Sequence, residues 1–374
     1  MKDEKPARRL QAAVVGCRMG RAHARSIASL EEYDLVAVCD IVRDAAAACA
    51  GDNGIDAIYT NYAEMLAQVK PDVVAVATPT NLHPEHTLQA LDAGAKGICS
   101  EKPMAVCMGD ARSMVEKCKS AGVPLVINHQ RRLGYEMVYA RQLIQEGTLG
   151  EIRMIRGECA GDILSDGTHL IDSIMWLAGD EGAEWVLGQI HRDLPKESPP
   201  GRTPGHRYGH TIETGAMAVI RLKNGLRAEI VCGDLRTEGL AYQDYQVIGS
   251  KGILWRCGDR AAENLFICDD KGGGWIPGLD NGTYKPISAP DGKSGMWRPV
   301  EIPVPRVNPI AESYRLLAAS IREGAPHPLS GENALVGFEM LMAIFESARL
   351  HKRIRLPLEQ DRYPLDIMIE QGIL

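Results

Sequence analysis

Two positions far apart in the chain carry side chains suited to proton work, and a third segment is built to receive phosphate. Lys102 precedes Pro103, and His169 is followed three residues on by Asp172. An imidazole titrates near neutrality, with a free pKa of about 6.5, so it can take or return the proton of a hydroxyl. Residues three apart on a helix share a face, so Asp172 can orient the His169 ring or bond a substrate hydroxyl. A lysine ammonium can steady a developing alkoxide as a fixed positive charge, and a desolvated lysine can share the proton itself. The third segment, Val14-Val15-Gly16-Cys17-Arg18-Met19-Gly20, orders a strand, a glycine turn and a helix start. Glycine lets backbone approach a pyrophosphate, whose charge the helix N-terminus favours, through Arg18 or the backbone N–H groups of Arg18 and Met19.

The spacing Gly16 to Gly20 is one residue short of G-x-G-x-x-G, and a plain strand-to-helix turn has the same glycine pair. Asp40 adds to it. It follows the second β run 24 residues after Gly16, near where a carboxylate bonds an adenosine ribose hydroxyl. The competing reading of Asp40 is a helix N-cap. A carboxylate there repels a 2′-phosphate, which favours NAD over NADP, although Arg43 leaves NADP open.

Composition narrows the classes. The net charge of -7 disfavours general attraction to nucleic acid, and no apolar run approaches the length of a membrane span. Ten scattered cysteines (17, 39, 49, 99, 107, 118, 159, 232, 257 and 268) include no C-x-x-C pair, so no zinc or other metal site is expected. Most sit in apolar runs, which points to reduced thiols and a cytoplasmic protein. No export signal is read at the polar start.

The elements that must position these residues change character along the chain. Residues 1–130 alternate short apolar strands with helices, at 11–15, 35–39, 73–78, 97–100 and 123–128 for the strands. Such alternation implies a doubly wound parallel sheet, a Rossmann domain. Residues 131–374 instead run through successive strands, with Asn224-Gly225 as a hairpin turn, and few helices, chiefly 135–145, 169–178, 310–322 and 332–350. That pattern implies an α+β domain on a largely antiparallel sheet. Segments 195–209 and 269–295, rich in Gly and Pro, read as excursions near the substrate face.

Other polar residues cluster at expected strand ends. Thr78, Asn81 and His83 lie at the C-terminal edge where open α/β sheets bind ligands, and they suit the nicotinamide ribose or substrate, or a loop cap. Asn128, Gln130, Arg131 and Arg132 follow a strand near the domain junction; the arginine forks suit a carboxylate or sulfonate. Arg202, His206, Arg207 and His210 could serve the same purpose.

Thr78-Pro79-Thr80-Asn81-Leu82-His83, Ala90-Leu91-Asp92-Ala93-Gly94, Ser100-Glu101-Lys102-Pro103, Gly150-Glu151-Ile152 and Asp166-Gly167-Thr168-His169-Leu170-Ile171-Asp172 follow one another in an order and spacing that resembles the glucose–fructose oxidoreductase/inositol dehydrogenase (Gfo/Idh/MocA) family. The resemblance covers about residues 10–355. It implies Glu101 and Lys102 at the cofactor, Lys102 beside the nicotinamide and the reacting hydroxyl, a cis Lys102-Pro103 bond, and His169 as acid/base. It also implies that the second domain's sheet is open and mostly antiparallel, with a homodimer or homotetramer formed through one face of it. Many polyol dehydrogenases of that family carry a relay Asp four residues before the histidine. Here Ser165 stands there and Asp166 is three before. The expected activity is NAD-dependent hydride transfer at a secondary hydroxyl carbon of a sugar, sugar acid or cyclitol. Two alternatives stay open: a redox-neutral glycosidase working by oxidation, elimination, hydration and re-reduction, and a non-enzymatic NAD-binding regulator.

Overall fold

The computed structural model describes residues 8–194, 203–236, 242–259, 264–269 and 297–374. The chain divides into two compact units. One holds Met1–Leu133, Tyr208–His210 and Val307–Phe338; the other holds Gly134–Arg207, Thr211–Arg306 and Glu339–Leu374.

In the first unit six parallel strands, β1 (Leu10–Val15), β2 (Tyr33–Cys39), β3 (Ile58–Tyr59), β4 (Val73–Val76), β5 (Gly97–Ser100) and β6 (Leu125–Ile127), lie in the order β3-β2-β1-β4-β5-β6. Val73–Val76 and Gly97–Ser100 are buried throughout, as strands covered on both faces must be. Helices α1 (Gly20–Ala28), α2 (Arg43–Asn53), α3 (Tyr62–Val69), α4 (His83–Asp92) and α5 (Met108–Ser120) make the crossovers. The doubly wound sheet expected from the alternating pattern is therefore present, with β3 and α3 added to it. Asn61 caps α3 by accepting the Glu64 N–H at 3.1 Å.

A late helix corrects the single boundary at 130/131. Helix α8 (Pro309–Glu323) belongs to the first unit, where its apolar face is buried. Tyr314, Leu317 and Ala318 join the core formed by Val14, Ala24, Tyr33 and Cys99. The Tyr33 hydroxyl donates to the Tyr314 carbonyl at 2.6 Å, and Gly97 gives Ile321 room on β5: a Cβ there would fall 2.6 Å from its Cδ1.

The second unit is built on nine strands. They are β7 (Ile152–Cys159), β8 (Ala183–His191), β9 (Gly215–Leu222), β10 (Arg227–Gly233), β11 (Gln243–Gly249), β12 (Gly252–Cys257), β13 (Leu265–Asp269), β14 (Arg298–Pro299) and, after α9 (Gly331–Leu350), β15 (Ile354–Arg355). Their order is β14-β13-β12-β11-β7-β10-β9-β8-β15, and only β7 and β10 pair in parallel. The Asn224-Gly225 turn joins β9 and β10, with Gly225 at φ +91°. One sheet face is covered: Gly157 leaves room for Leu170 and Ile174 of α7 (Thr168–Ala178), and Gly188 for Ile344 of α9. Helix α6 (Tyr135–Gln145) packs on α7 through the Trp176 indole, which donates to the Met137 carbonyl at 3.1 Å.

All ten cysteines are free thiols, and no group of His, Cys, Asp or Glu among the described residues could hold a metal ion. No described helix is long and apolar enough to cross a membrane. Arg202 and most of segments 195–209 and 269–295 lie outside the described residues.

Candidate active site

The glycine loop leads into α1 through a single turn. The Gly20 N–H donates to the Gly16 carbonyl at 3.1 Å, an i to i−4 bond that closes residues 17–19 into a turn ahead of α1. Gly16 has φ +88°, and a Cβ there would lie 2.4 Å from the Ala77 carbonyl oxygen. Gly20 has the packing role: a Cβ would meet Val14 Cγ1 at 2.7 Å. We therefore expect Gly16→Ala to cost about 1–3 kcal/mol from backbone strain alone and to weaken NAD binding more than about tenfold. Urea unfolding and a fluorescence titration with NAD check this; unchanged values in both would contradict it.

Asp40 is tied to the same loop. Its Oδ2 accepts the Cys17 N–H at 2.7 Å and its Oδ1 accepts the Val42 N–H at 2.8 Å. Helix α2 is capped by Val42 with no side-chain bond, so Asp40 is no N-cap. The carboxylate keeps lone pairs beyond those two bonds and is only half-buried. The N–H groups of Arg18 and Met19 have no acceptor among the described residues. Met19 is 54% and Ile41 89% exposed, which leaves bare apolar surface beside Asp40. A backbone cradle, donors at a helix start, a ribose-matched carboxylate and an apolar platform fit a dinucleotide.

Lys102 stands on a buried support. Glu101 leaves β5 with its N–H donating to the Val76 carbonyl at 2.8 Å, and the Lys102-Pro103 bond is cis as expected. Glu101, expected at the cofactor, is only 5% exposed and spends its carboxylate inside the unit. His23 Nε2 and Asn128 Nδ2 both lie 2.7 Å from Oε1, and the Lys102 N–H reaches Oε2 at 3.3 Å. The Tyr314 hydroxyl meets His23 Nδ1 at 2.7 Å. Burial alone would raise the Glu101 carboxyl, but the His23 bond and charge, with Lys102 and Asn128, outweigh it and bring it to about 2. Burial likewise opposes charge on His23, and its bonds to Cys99 and Glu101 win, raising it to about 10. The result is a buried ion pair directly under Lys102. Asn128, expected to face substrate, is fully buried in this support instead.

Residues 78–83 form the other side of that turn. His83 is buried between the carbonyls of Pro103 (Nδ1, 2.8 Å) and Thr78 (Nε2, 2.7 Å), and burial pushes its pKa down. It therefore clasps the Lys-Pro turn to the end of β4, the loop-capping alternative. Thr78 is half-buried and its hydroxyl meets His86 at 3.1 Å. Asn81 is exposed and lies against Gly209, where a Cβ would come within 1.9 Å of its Oδ1. Gln130 and Arg131 sit half-buried in a short 3-10 turn (Gln130–Leu133), whereas Arg132 is fully enclosed and is no solvent-facing anion fork.

In the second unit, His169 (3% exposed) and Asp172 (5%) lie on the first turns of α7. The chain enters α7 through a π-turn, Ile163–Gly167, a wide-turn geometry found often at functional sites. Asp162 caps it, accepting the Ser165 N–H at 2.6 Å. Asp166 is held by Arg207 at 2.5 Å and by the Tyr242 hydroxyl, and Arg207 also reaches Asp162 at 3.1 Å. Gly161 (φ +84°) makes this possible, since a Cβ there would overlap Asp166 at 2.1 Å. Arg207, expected as an anion fork, is thus committed to two carboxylates. His206 is exposed and His210 buried. Sequence reasoning missed Glu213, which is 1% exposed; its Oε1 accepts the Ile163 N–H at 2.5 Å. Burial, then the Asp162 and Asp166 carboxylates, push it up to about 8.

Residues 10–129 match the family model for the NAD-binding Rossmann domain of the GFO_IDH_MocA oxidoreductases, and residues 137–255 match a GFO/IDH/MocA C-terminal domain. D-glucoside 3-dehydrogenase of Escherichia coli strain K12 is 30% identical over 71% of this chain and 80% of its own length. Myo-inositol 2-dehydrogenase of Thermotoga maritima is 25% identical over 71% and 79%. The WlbA dehydrogenase of Bordetella pertussis, solved with NADH and UDP-GlcNAcA, shares the fold with a TM-score of 0.70 at 23% identity, over 94% of this chain and 100% of that one.

Proposed function

The chain belongs to the Gfo/Idh/MocA family of NAD-binding oxidoreductases that act on sugars and cyclitols, and from that premise we propose that Lys102 and His169 handle the proton of a secondary hydroxyl as its carbon is oxidised or reduced. The observation that carries the proposal is the buried Glu101–His23 ion pair bonded to the backbone of Lys102, a costly feature to maintain under a mere turn lysine. NAD, when bound, supplies the hydride acceptor or donor. Gly16, Arg18, Met19 and Asp40 would hold it. Lys102 then steadies the charge on the substrate oxygen, and His169, buried at the start of α7, takes or returns the proton. Asp172 orients the ring or bonds a second hydroxyl. Asp166, committed to Arg207 and Tyr242, fixes the turn that leads into α7 rather than relaying protons. A panel of sugars, cyclitols and glycosides with NAD, followed for both NADH and product, tests the reading. No conversion of any of them by NAD-loaded protein would overturn it.

The Escherichia coli relative's name specifies a glucoside oxidised at position 3, which favours one variant of the chemistry. A ketone at C3 acidifies the C2 proton; its removal expels the C1 substituent, water adds at C1, and re-reduction restores the alcohol. Aglycone release without accumulated NADH is its signature, and stoichiometric NADH from an unglycosylated polyol its refutation.

The face of the nine-stranded sheet opposite α7 and α9 supports self-association. Leu187 and Met217 are 47% and 49% exposed there, with Val219 opposite Leu187 and Val231 opposite Met217. Such an apolar patch is covered in most proteins. We expect Leu187→Lys/Met217→Lys to convert a dimer or tetramer into monomer by light scattering; a monomeric parent protein would contradict this.

A further inference from the structure

The first unit includes a piece of chain remote from the rest of it in sequence, Tyr208–His210. Tyr208 and Gly209 are the two turn residues between the short strands His206–Arg207 and His210–Thr211, with φ of +48° and +83°. A two-residue hairpin turn with both φ positive favours Asn-Gly or Gly-Gly, because the left-handed region crowds a larger side chain against its own backbone. A tyrosine at the first position therefore stores strain, and residues held so collect at ligand clamps and active sites.

Backbone anchors the turn. The Thr80 N–H donates to the Tyr208 carbonyl at 2.9 Å, and Gly209 lies so close to Asn81 that a Cβ would overlap its side chain. Any residue at 208 would supply that carbonyl, so the anchor does not account for the tyrosine, which stays 57% exposed. The anchoring segment, 78–83, follows β4 and serves two other parts of the site. Gly16 of the dinucleotide loop packs on Ala77 and Thr78, and His83 bonds the Pro103 carbonyl of the Lys102-Pro103 turn at 2.8 Å. Tyr208 is thus tied to the stretch of chain that touches both the glycine loop and the lysine turn.

An exposed aromatic face with a hydroxyl at its tip suits a ligand that is apolar on one side and polar at its rim. A pyranose has that form: ring C–H groups make a flat apolar face, and hydroxyls make the rim. The groups that would hold the dinucleotide, Gly16 to Gly20 and Asp40, follow β1 and β2 instead. Resting on the reading of the chain as a carbohydrate oxidoreductase, we propose that Tyr208 is a substrate-binding residue, receiving the C–H face of the sugar ring that reacts at Lys102.

Calorimetric titration of the NAD-loaded protein with methyl β-D-glucoside and with glucose tests this, on the parent, Tyr208→Asn and Tyr208→Phe. Asparagine removes the ring yet fits the turn better. Sugar affinity is expected to fall at least about tenfold in Tyr208→Asn, the worth of one stacked ring contact, with NAD affinity within about twofold. Its thermal midpoint is expected to hold or to rise by up to about 3 °C as the strain is relieved, so binding and stability move apart. Tyr208→Phe keeps the ring and is expected to lose less than about threefold. Sugar affinity within about twofold of the parent in Tyr208→Asn, a lowered midpoint, or a matching loss of NAD affinity would overturn the proposal. So would a Tyr208→Phe as weak as Tyr208→Asn, or a parent protein that binds neither sugar. Hydride transfer from any sugar, observed beside such a failure, would leave the oxidoreductase reading standing. Ring-dependent sugar binding with no hydride transfer from any sugar would sink that reading and spare this one.

Discussion

Lys102→Met is expected to lower kcat by about 10²–10⁴, the range that a positioned acid/base or charge-stabilising group supplies, while NAD affinity changes by less than about threefold. Methionine keeps the length and the apolar stem but has no charge and no proton to give. The Lys102 backbone N–H still reaches Glu101, so the support beneath is retained and folding is not the cause of the loss. His169→Ala should fall in the same range. The double variant should be little worse than either single one, because residues acting as a unit are not additive. A Lys102→Met protein with wild-type kcat would remove Lys102 from the chemistry. A variant that loses NAD binding as well would make the lysine a cofactor contact instead.

The second large effect is on stability. His23→Leu leaves the Glu101 carboxylate buried without its cation, and removing one partner of such a pair costs about 3–5 kcal/mol. His23 is raised from 6.5 to about 10 in the fold, so its contribution is complete below pH 6.5 and is lost as pH rises through about 10. Glu101 is depressed from 4.5 to about 2, so its contribution is complete above pH 4.5 and is lost as pH falls through about 2. The difference in unfolding free energy between the parent protein and His23→Leu should therefore be greatest between those ordinary values and shrink toward alkaline pH. Urea unfolding at about pH 6 and about pH 9.5 measures it. A difference that does not change with pH would mean that His23 is a neutral packing residue.

The elements that position the site were legible because their signals are local. Buried parallel strands read as continuous apolar runs, and 97–100, 135–145 and 152–159 fall where those runs and helical periods place them. Edge elements were harder: β3 has two residues, and α3 announced itself only by Asn61 and Glu64, a cap signature easily passed over. The assignment of α8 to the first unit depends on Tyr314 packing against Tyr33, a contact across 281 residues that no local pattern contains. The site divides the same way. Lys102, His169 and Asp40 stand in recognisable motifs. Asn128 and Glu101 carry the right chemistry for ligands, yet their partners are each other and His23, and only the folded register reveals that. Glu213 had no motif at all; burial beside Asp162 is what singles it out.

One measurement bears most directly on the central claim. With NAD-loaded protein in excess over a panel of glycosides, amino sugars and cyclitols deuterated at their ring carbons, the cofactor is recovered within a single turnover and weighed by mass spectrometry. The account predicts one deuterium gained by the nicotinamide from a secondary carbinol carbon, and its disappearance in Lys102→Met. Unlabelled cofactor from the parent protein, with NAD bound and every sugar in the panel tried, would contradict it.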